Sequence, residues 1–298
     1  MNERKYVLFA ILAAAFYALS TPISKFLLNK QISPTMLAGL LYIGAGLGMF
    51  FVRLFKNKSA LSKEALTKAQ LPYILAMVVL DILAPIFLML GLQLSTPGNV
   101  SLLNNFEIVA TSIIALVIFK ERITIRTWIG IMLISIASVI LSISDLTSFT
   151  FSLGSLYILL ACIFWGFENN CTKKLSNNDP LEIVTIKGIF SGIGSLLVAT
   201  ILGELTFNWK LISIALCLGF IAYGFSVLLY VRAQIGLGAA KTSAYYAVAP
   251  FISVLLSLVI FWELPDPTFY IALVIMIVGA YFVTAKINKD NKNPLIKS

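Results

Sequence analysis

The sequence predicts an all-α, polytopic membrane protein with ten transmembrane helices arranged as two inverted five-helix repeats. Three observations support this fold class: the apolar composition, the spacing of the apolar segments and a motif that occurs twice. Hydrophobic residues make up 59% of the 298 residues and charged residues only 12%, and the mean hydropathy is +0.96. Because soluble domains carry about 25% charged residues, the outer surface of this chain is suited to lipid rather than water.

Apolar segments long enough to cross a bilayer follow one another along the whole chain. The hydrocarbon core of a bilayer is about 30 Å thick, which a helix of about 20 apolar residues spans. The first segment exceeds the apolar core of a secretory signal, so we expect it to remain as a span. The ten predicted spans are Tyr6–Leu28, Thr35–Leu54, Leu71–Leu92, Gly98–Phe119, Thr127–Ile143, Leu153–Thr172, Ile183–Gly203, Leu211–Val231, Gly238–Trp262 and Phe269–Ala285.

The basic residues predict the orientation of these spans. Loops on the cytoplasmic side of a membrane carry an excess of Lys and Arg. If the N-terminus is inside, the loops on the outside contain only Lys30 and Lys210, and most of the other basic residues lie in the loops and tails on the inside. We therefore predict a multi-pass protein of the cell (plasma) membrane with both termini in the cytoplasm. The long inner loop at 56–69 is predicted to form a short interfacial helix.

An internal duplication divides the chain into two halves. The motif LVIFKE at Leu116–Glu121 recurs 142 residues later as LVIFWE at Leu258–Glu263, with one difference in six positions. Such self-similarity indicates a repeated unit, and we place the repeats at 1–145 and 146–298, the second with a short cytoplasmic tail. Five spans are an odd number, so the second repeat must enter the membrane from the opposite side. Inverted repeats are typical of secondary transporters, whose substrate site lies near the midplane between the repeats.

Further matches between the halves define a recognisable pattern. Phe16-Tyr17-Ala18 in span 1 aligns with Phe164-Trp165-Gly166 in span 6, and Glu121 and Glu263 close spans 4 and 9. With the ten spans, this pattern resembles the EamA family of the drug/metabolite transporter superfamily over nearly the whole chain. The resemblance implies a basket of helices whose central cavity is lined mainly by spans 1, 3, 4, 6, 8 and 9 and opens alternately to either side. Members of that family carry amino acids, nucleotide sugars, phosphorylated sugars, quaternary amines or other small metabolites, so the resemblance does not name the cargo.

Two carboxylates lie deep inside predicted spans. Asp81 is ten residues into span 3 and Glu107 nine into span 4, which places both about 14–15 Å from the membrane surface. Ionisable residues at this depth are candidates for function, and Asn104 shares a helix face with Glu107. Glu107 could bind a coupling proton, or it could be a structural group that is ion-paired or hydrogen-bonded to Asn105. Asp81 could bind substrate or serve a helix break at the neighbouring Pro85.

Span 6 carries a second group of polar and aromatic candidates. Trp165 and Glu168 are three residues apart on one helix face, Asn169 follows, and Tyr17 has the corresponding place in span 1. Aromatic rings beside a carboxylate can bind an ammonium group, which favours an amino acid or amine as cargo and makes Glu168 a second candidate for proton coupling. Alternatively, the aromatic residues anchor the helices at the membrane interface.

Positions in the second repeat extend the candidate cavity. The duplication aligns Asp81 with Tyr223 and Asn104 with Tyr246. Residues at symmetry-related positions would surround one centre, so we predict that these four line a common cavity. Tyr245 is a further candidate, although one of the two adjacent tyrosines must face away from the cavity.

Lysines support an alternative cargo, an anionic or phosphate-bearing metabolite. Lys241 stands at the start of span 9, where exposed amides of a helix N-terminus attract anions, and Lys25 and Lys187 lie in spans 1 and 7. Alternatively, Lys241 is one of the basic residues that mark the cytoplasmic side of the membrane. Asp81, Glu107 and Glu168 weigh against a strongly positive cavity.

Prolines and glycines predict hinge and packing positions. Pro22, Pro85 and Pro250 fall within spans 1, 3 and 9. Proline removes a backbone donor and frees a carbonyl, which a membrane tolerates only where protein or water satisfies it. Small-residue pairs such as Gly44 with Gly48 allow close helix packing.

The remaining composition limits the chemistry. Histidine is absent and the three cysteines lack the spacing of a metal site, so we expect no metal, no cofactor and no disulfide framework. An intramembrane enzyme is a remote alternative, because no nucleophile with a matching base is evident. As partners we expect a small-molecule substrate and membrane lipid but no nucleic acid. The sequence leaves open whether the chain forms a homodimer. The sequence thus predicts a secondary active transporter, an exporter or exchanger of a small polar metabolite, which works by alternating access and is not an enzyme.

Overall fold

The computed structural model describes residues 3–55, 67–118, 120, 125–145, 150–175, 178–230, 232–233, 245–246, 248–262 and 267–284. These residues are almost entirely helical, as predicted. The helices are α1 (Glu3–Ala18), α2 (Ser20–Asn29), α3 (Pro34–Leu54), α4 (Leu71–Leu94), α5 (Pro97–Leu103), α6 (Phe106–Val117), α7 (Ile125–Ser142), α8 (Leu153–Lys174), α9 (Pro180–Ile201), α10 (Trp209–Leu218), α11 (226–230), α12 (Ala249–Phe261) and α13 (Pro267–Thr284). A 3₁₀ turn at Lys68–Gln70 precedes α4, and a π-helix at Gly219–Phe225 joins α10 to α11.

Within the described residues, six helical segments are long and apolar enough to cross a membrane. They are Arg4–Asn29, Pro34–Leu54, Lys68–Leu94, Pro97–Val117, Pro180–Ile201 and Trp209–Tyr230. Three shorter apolar helices lie at Trp128–Leu141, Ala249–Phe261 and Pro267–Phe282. This pattern is that of a multi-pass membrane protein.

One short β-hairpin modifies the all-α prediction. Strand β1 (Ile143–Asp145) pairs with strand β2 (Thr150–Phe151) in an antiparallel sheet of two strands between α7 and α8. The pair lies at the boundary that the duplication predicts between the two halves. The predicted inner-loop helix at 56–69 falls almost entirely outside the described residues, as do Glu121 and Glu263.

Proline and a capping side chain start several helices. Ser33 accepts a hydrogen bond from the backbone N–H of Met36 at 3.3 Å, and Pro34 is the first residue of α3. Asp179 and Pro180 repeat this arrangement at the start of α9. The cap satisfies an N–H that has no partner within the helix, and proline lacks the N–H that would be unpaired there.

Close packing of helices from the two halves forms the core. Helix α3 packs along α9, α4 along α8, and α7 along α13. A Cβ atom added to Gly46 would lie 2.5 Å from the backbone nitrogen of Ile189, so α3 and α9 touch through their backbones at this point. Apolar side chains gain no hydrophobic energy by leaving lipid, so such contacts between small residues are what hold membrane helices together.

Three of the long segments depart from α-helical geometry near their middle. Leu19 separates α1 from α2, the turn at Asn104–Asn105 separates α5 from α6, and the π-helix contains Tyr223. Non-helical backbone within a membrane is tolerated where it is buried in protein or lines a cavity, and π-helical turns are frequent at functional sites. These three departures from α-helical geometry indicate that a candidate site lies at the centre of the bundle.

The prolines are distributed differently from the prediction. Pro22 follows the break at Leu19, as expected. Helix α4 continues through Pro85 without interruption, so no helix break stands beside Asp81. Pro250 lies in the first turn of α12, where its missing N–H leaves no helical hydrogen bond unmade, and most of the predicted span 9 that precedes it lies outside the described residues.

Candidate functional site

A charged triad from three helices lies inside the bundle. Its members are Asp81 on α4, Glu168 on α8 and Lys187 on α9. The Nζ atom of Lys187 is 3.0 Å from Oδ2 of Asp81 and 2.9 Å from Oε1 of Glu168. Asp81 is 0% exposed and Glu168 1% exposed. One ammonium group therefore forms ion pairs with two buried carboxylates, and the ionised triad carries one excess negative charge.

Hydrogen bonds fix the orientation of both carboxylates. Tyr42 donates its hydroxyl to Oδ1 of Asp81 at 2.9 Å, and the indole N–H of Trp165 is donated to the Tyr42 oxygen at 3.3 Å. Thr172 donates its hydroxyl to Glu168. Trp165 is only 6% exposed, whereas a residue that anchors a helix at the lipid headgroups would be accessible from the membrane. Trp165 therefore lies beside the triad and does not act as an interface anchor.

Aromatic rings extend from the triad through the interior of the bundle. The tyrosine cluster consists of Tyr17, Tyr42, Tyr223, Tyr230 and Tyr246. The ring centroid of Tyr42 is 5.6 Å from that of Tyr223, and Tyr17 lies 5.8 Å from both Tyr223 and Tyr246. Tyr230 is 4.9 Å from Tyr246. Tyr42 therefore belongs to both groups and connects the carboxylates to a continuous aromatic surface.

Glu107 has a neutral partner. The side-chain amide of Asn169 donates to Oε1 of Glu107 at 2.6 Å and lies 3.3 Å from the hydroxyl of Thr111. No side chain among the described residues forms an ion pair with Glu107. The amide that binds it is therefore Asn169 and not Asn105, whose own side-chain atoms have no hydrogen-bond partner in the described part of the chain.

A small polar cavity lies beside the helix breaks. It is lined by Tyr17, Ser20, Thr21, Ser101, Asn104 and Ser253 and has a volume of about 10 Å³, which is room for about one water molecule. The hydroxyl oxygens of Ser101 and Ser253 are 2.9 Å apart across it. Oδ1 of Asn104 is buried, and none of the described residues donates to it. A metabolite could enter this region only if the helices around it moved apart.

Most of the predicted site residues that the structure describes converge, but Tyr245 does not. Tyr245 is 40% exposed at the surface, while its neighbour Tyr246 lies in the tyrosine cluster. Lys241 lies outside the described residues. Within the described residues, no group of three or more His, Cys, Asp or Glu side chains could hold a metal ion.

Two residues of the site were not predicted as substrate-binding residues. Lys187 stands seven residues into α9, and a charged side chain inside a span is itself a signal of function. In the sequence, Lys187 supports only an anionic cargo, because nothing there pairs it with two carboxylates on other helices. Tyr42 carries no such signal, since one tyrosine in an apolar helix usually packs against its neighbours.

Lys25 is hydrogen-bonded to the backbone at the end of α4. Its Nζ atom donates to the carbonyl oxygens of Leu92, Gln93 and Ser95 at 2.7, 3.1 and 2.8 Å. The last carbonyls of a helix have no partner within it, so Lys25 caps the end of α4.

The described residues therefore form a helical membrane protein with a buried polar and aromatic centre. The model of the EamA-like transporter family matches this chain twice, at residues 4–143 and 152–285. The chain belongs to the EamA-like transporter family and is a transporter.

Two comparisons extend over most of the chain. It is 23% identical over 291 residues to an uncharacterized transporter of Methanothermobacter thermautotrophicus, an alignment that covers 92% of this chain and 84% of the relative. A crystal structure of a protein with 19% sequence identity superimposes with a TM-score of 0.63 and covers 94% of this chain and 95% of the other. That second similarity is one of fold.

Proposed function

We propose that this protein is a secondary active transporter that exports or exchanges a small amino-bearing metabolite, an amino acid or amine, by alternating access. The observation that carries the proposal is the triad: two buried carboxylates share one ammonium group next to the tyrosine cluster. The following contacts support each part of it.

Pairs of equivalent helices support two inverted repeats within ten spans. If residues 1–145 and 146–298 are related by a two-fold axis, spans 2 and 7 should meet at the axis, and so should spans 5 and 10. The pairs α3–α9 and α7–α13 meet this expectation. The contact of α4 with α8 also has its counterpart, since the π-helix of the second half packs against α1 of the first. The two separate family matches support the same division.

The chemistry of the triad supports a cationic group on the cargo. Lys187 is an ammonium group that already occupies the space between Asp81 and Glu168. A cargo ammonium that bound one of these carboxylates would neutralise the excess negative charge that Lys187 leaves uncompensated. Aromatic faces strengthen such binding through cation–π attraction, and Trp165, Tyr42 and Tyr223 lie within the same connected group.

The same contacts give less support to the anionic cargo. Of the three lysines that suggested it, Lys25 donates to three carbonyl oxygens, and Lys187 contacts two carboxylates. Neither is placed to meet an anion in this arrangement, and Lys241 is not among the described residues.

The proposed coupling proton belongs on Glu107 rather than Glu168. Glu168 is ion-paired, so its protonation would take away part of the charge that balances Lys187. Glu107 is held by the neutral amide of Asn169, and its protonation leaves no cation without a partner. Proton binding and cargo binding would then use neighbouring but separate carboxylates.

Binding measurements on purified protein test the cargo class. A thermal-shift screen should include amino acids, polyamines, nucleosides and sugar phosphates, and we expect stabilisation by an amino-bearing compound. For that compound, Glu168→Gln should weaken binding by roughly ten-fold or more, because a hydrogen bond to a charged group contributes about 1.5–3 kcal/mol. Isothermal titration measures the change.

Glu182→Gln is the matched control. It removes a carboxylate from a different ion pair, with Arg53 at 3.5 Å, near the end of α3, and binding should stay unchanged. If sugar phosphates but no amino compounds bind, or if both substitutions weaken binding equally, the proposed cargo class is wrong.

A further inference from the structure

A groove on the outer surface of the bundle shares no lining residue with the polar centre. It has a volume of about 670 Å³ and runs between α3 and the segment formed by α10 and the π-helix. Leu47, Phe51 and Phe55 line one side, and Cys217 and Phe220 line the other. Phe51 is 55% exposed and Phe55 88% exposed. Apart from one arginine, the described side chains that line the groove are apolar or a thiol.

The length of the groove matches one leaflet of a bilayer. Along α3 its lining begins at Gly44, near the middle of the helix, and ends at Phe55, just beyond its last turn. Eleven residues of helix rise about 16 Å, and half of the hydrocarbon core is about 15 Å thick. The distribution of Lys and Arg places the Phe55 end on the cytoplasmic side.

Arg232 marks that end of the groove. It is the charged member of the lining, and no described residue forms a hydrogen bond or ion pair with it. Arg53, at the end of the same helix α3, differs in this respect because it pairs with Glu182 at 3.5 Å. A guanidinium group presents several N–H donors in a plane and matches the oxygens of a phosphate group.

We propose that this groove binds an anionic phospholipid of the cytoplasmic leaflet, with one acyl chain along Phe51 and Phe220 and the phosphate group at Arg232. The apolar lining excludes a polar or acidic peptide as occupant. The single positive charge at the headgroup level complements an anionic headgroup, which attracts basic residues near the membrane surface. The site is independent of the cargo and of the transport mechanism.

Native mass spectrometry of the whole protein tests this proposal. The protein, purified in a mild detergent, is mixed with equal amounts of phosphatidylglycerol and phosphatidylcholine of identical acyl chains, and the bound lipids are counted. We expect one phosphatidylglycerol to be retained in preference to phosphatidylcholine. Glycerol phosphate without acyl chains should not be retained, because the groove supplies most of the contact area.

Two substitutions locate the lipid on the protein. Arg232→Gln should lower the preference for phosphatidylglycerol by about five-fold, the effect expected for one basic residue near an anionic membrane surface. Arg53→Gln removes the same charge at nearly the same depth but outside the groove, and should leave the preference unchanged. Cys217→Trp should reduce retention of both lipids by filling the groove, while Leu255→Trp on the exposed face of α12 should not.

Three results would overturn the proposal. These are equal retention of the two lipids, an equal loss of preference in the Arg232 and Arg53 variants, and a dimer without bound lipid whose interface Cys217→Trp disrupts. The last result would mean that a second copy of the chain covers the groove. None of these outcomes depends on whether the protein carries an amine.

Discussion

Lys187 holds together two buried carboxylates that would otherwise repel each other. The desolvation of a buried ion is costly, and removal of one partner leaves an uncompensated charge. Asp81 and Glu168 sit on different helices, so the position of Lys187 also links α4, α8 and α9. A cargo ammonium that replaced Lys187 at one carboxylate would loosen that link. Cargo binding would in this way be coupled directly to movement of the helices.

Glu107→Gln is the decisive substitution for proton coupling. The amide keeps the size of the side chain and a hydrogen bond to Asn169, but it cannot bind or release a proton. We expect transport of the identified amine to lose its dependence on pH while the cargo still binds. Uptake into proteoliposomes at several pH values measures this.

Glu204→Gln is the control for that experiment. Glu204 follows α9 and is hydrogen-bonded to Thr35 in the first turn of α3. Its substitution should leave the pH dependence intact. Unaltered pH dependence in the Glu107 variant would remove the proton role from this residue.

At the scale of elements, α3 and α9 cross with their backbones in direct contact. Gly46 and Gly188 bring the two backbones together, and neither glycine can take a side chain without displacement of the other helix. The helix breaks differ from this crossing in their geometry, since the turn at Asn104–Asn105 and the π-helix leave backbone groups outside the regular α-helical pattern. In the proposed mechanism, we expect the turn at Asn104–Asn105 to change conformation.

Gly46→Ile should lower the stability of the protein. The added side chain would collide with Ile189 and Gly188, and overpacking of this kind costs about 1–3 kcal/mol. The melting temperature in detergent should fall by several degrees. Phe50→Ile places the same residue one turn further along α3, at a position 41% exposed, and should change the melting temperature little. Equal effects of the two substitutions would mean that the crossing does not depend on Gly46.

At the scale of the whole molecule, the proposed mechanism depends on the opposite orientation of the two repeats. Two bundles that enter the membrane from opposite sides form equivalent barriers on its two faces, and a switch between the faces needs little more than an exchange of their conformations. The small cavity near Asn104 is far smaller than any metabolite. In the proposed mechanism, each transport cycle therefore includes movement between the repeats.

Cysteine labelling tests the orientation. Gln31→Cys lies just after the first span of the first half, and Lys174→Cys lies at the end of the corresponding helix of the second half. A membrane-impermeant maleimide should label Gln31→Cys in intact cells and Lys174→Cys only after permeabilisation. The unsubstituted protein should stay unlabelled in both conditions, since Cys162 and Cys171 are buried and Cys217 lies within the apolar segment Trp209–Tyr230. Labelling of both variants from the same side would contradict inverted repeats.

Composition and pattern determined the class of this protein. Hydropathy predicted a multi-pass membrane protein, and the repeated LVIFxE motif with the paired aromatic residues predicted the EamA family, which the family match confirmed. These properties are readable because the need to cover each span with apolar side chains acts on every helix separately. The same reasoning marked Asp81, Glu107 and Glu168 as unusual, since a charge inside a span stands out in any apolar segment.

The partners of those charges were decided only by the tertiary structure. Lys187 meets Asp81 and Glu168 because α3, α4, α8 and α9 pack with particular rotations, set in part by the backbone contact at Gly46. The capping role of Lys25, the break at Asn104 and the groove that ends at Arg232 depend likewise on how separate helices fit together. Helical periodicity gives the face of a helix on which a residue lies, but not the helix that this face meets.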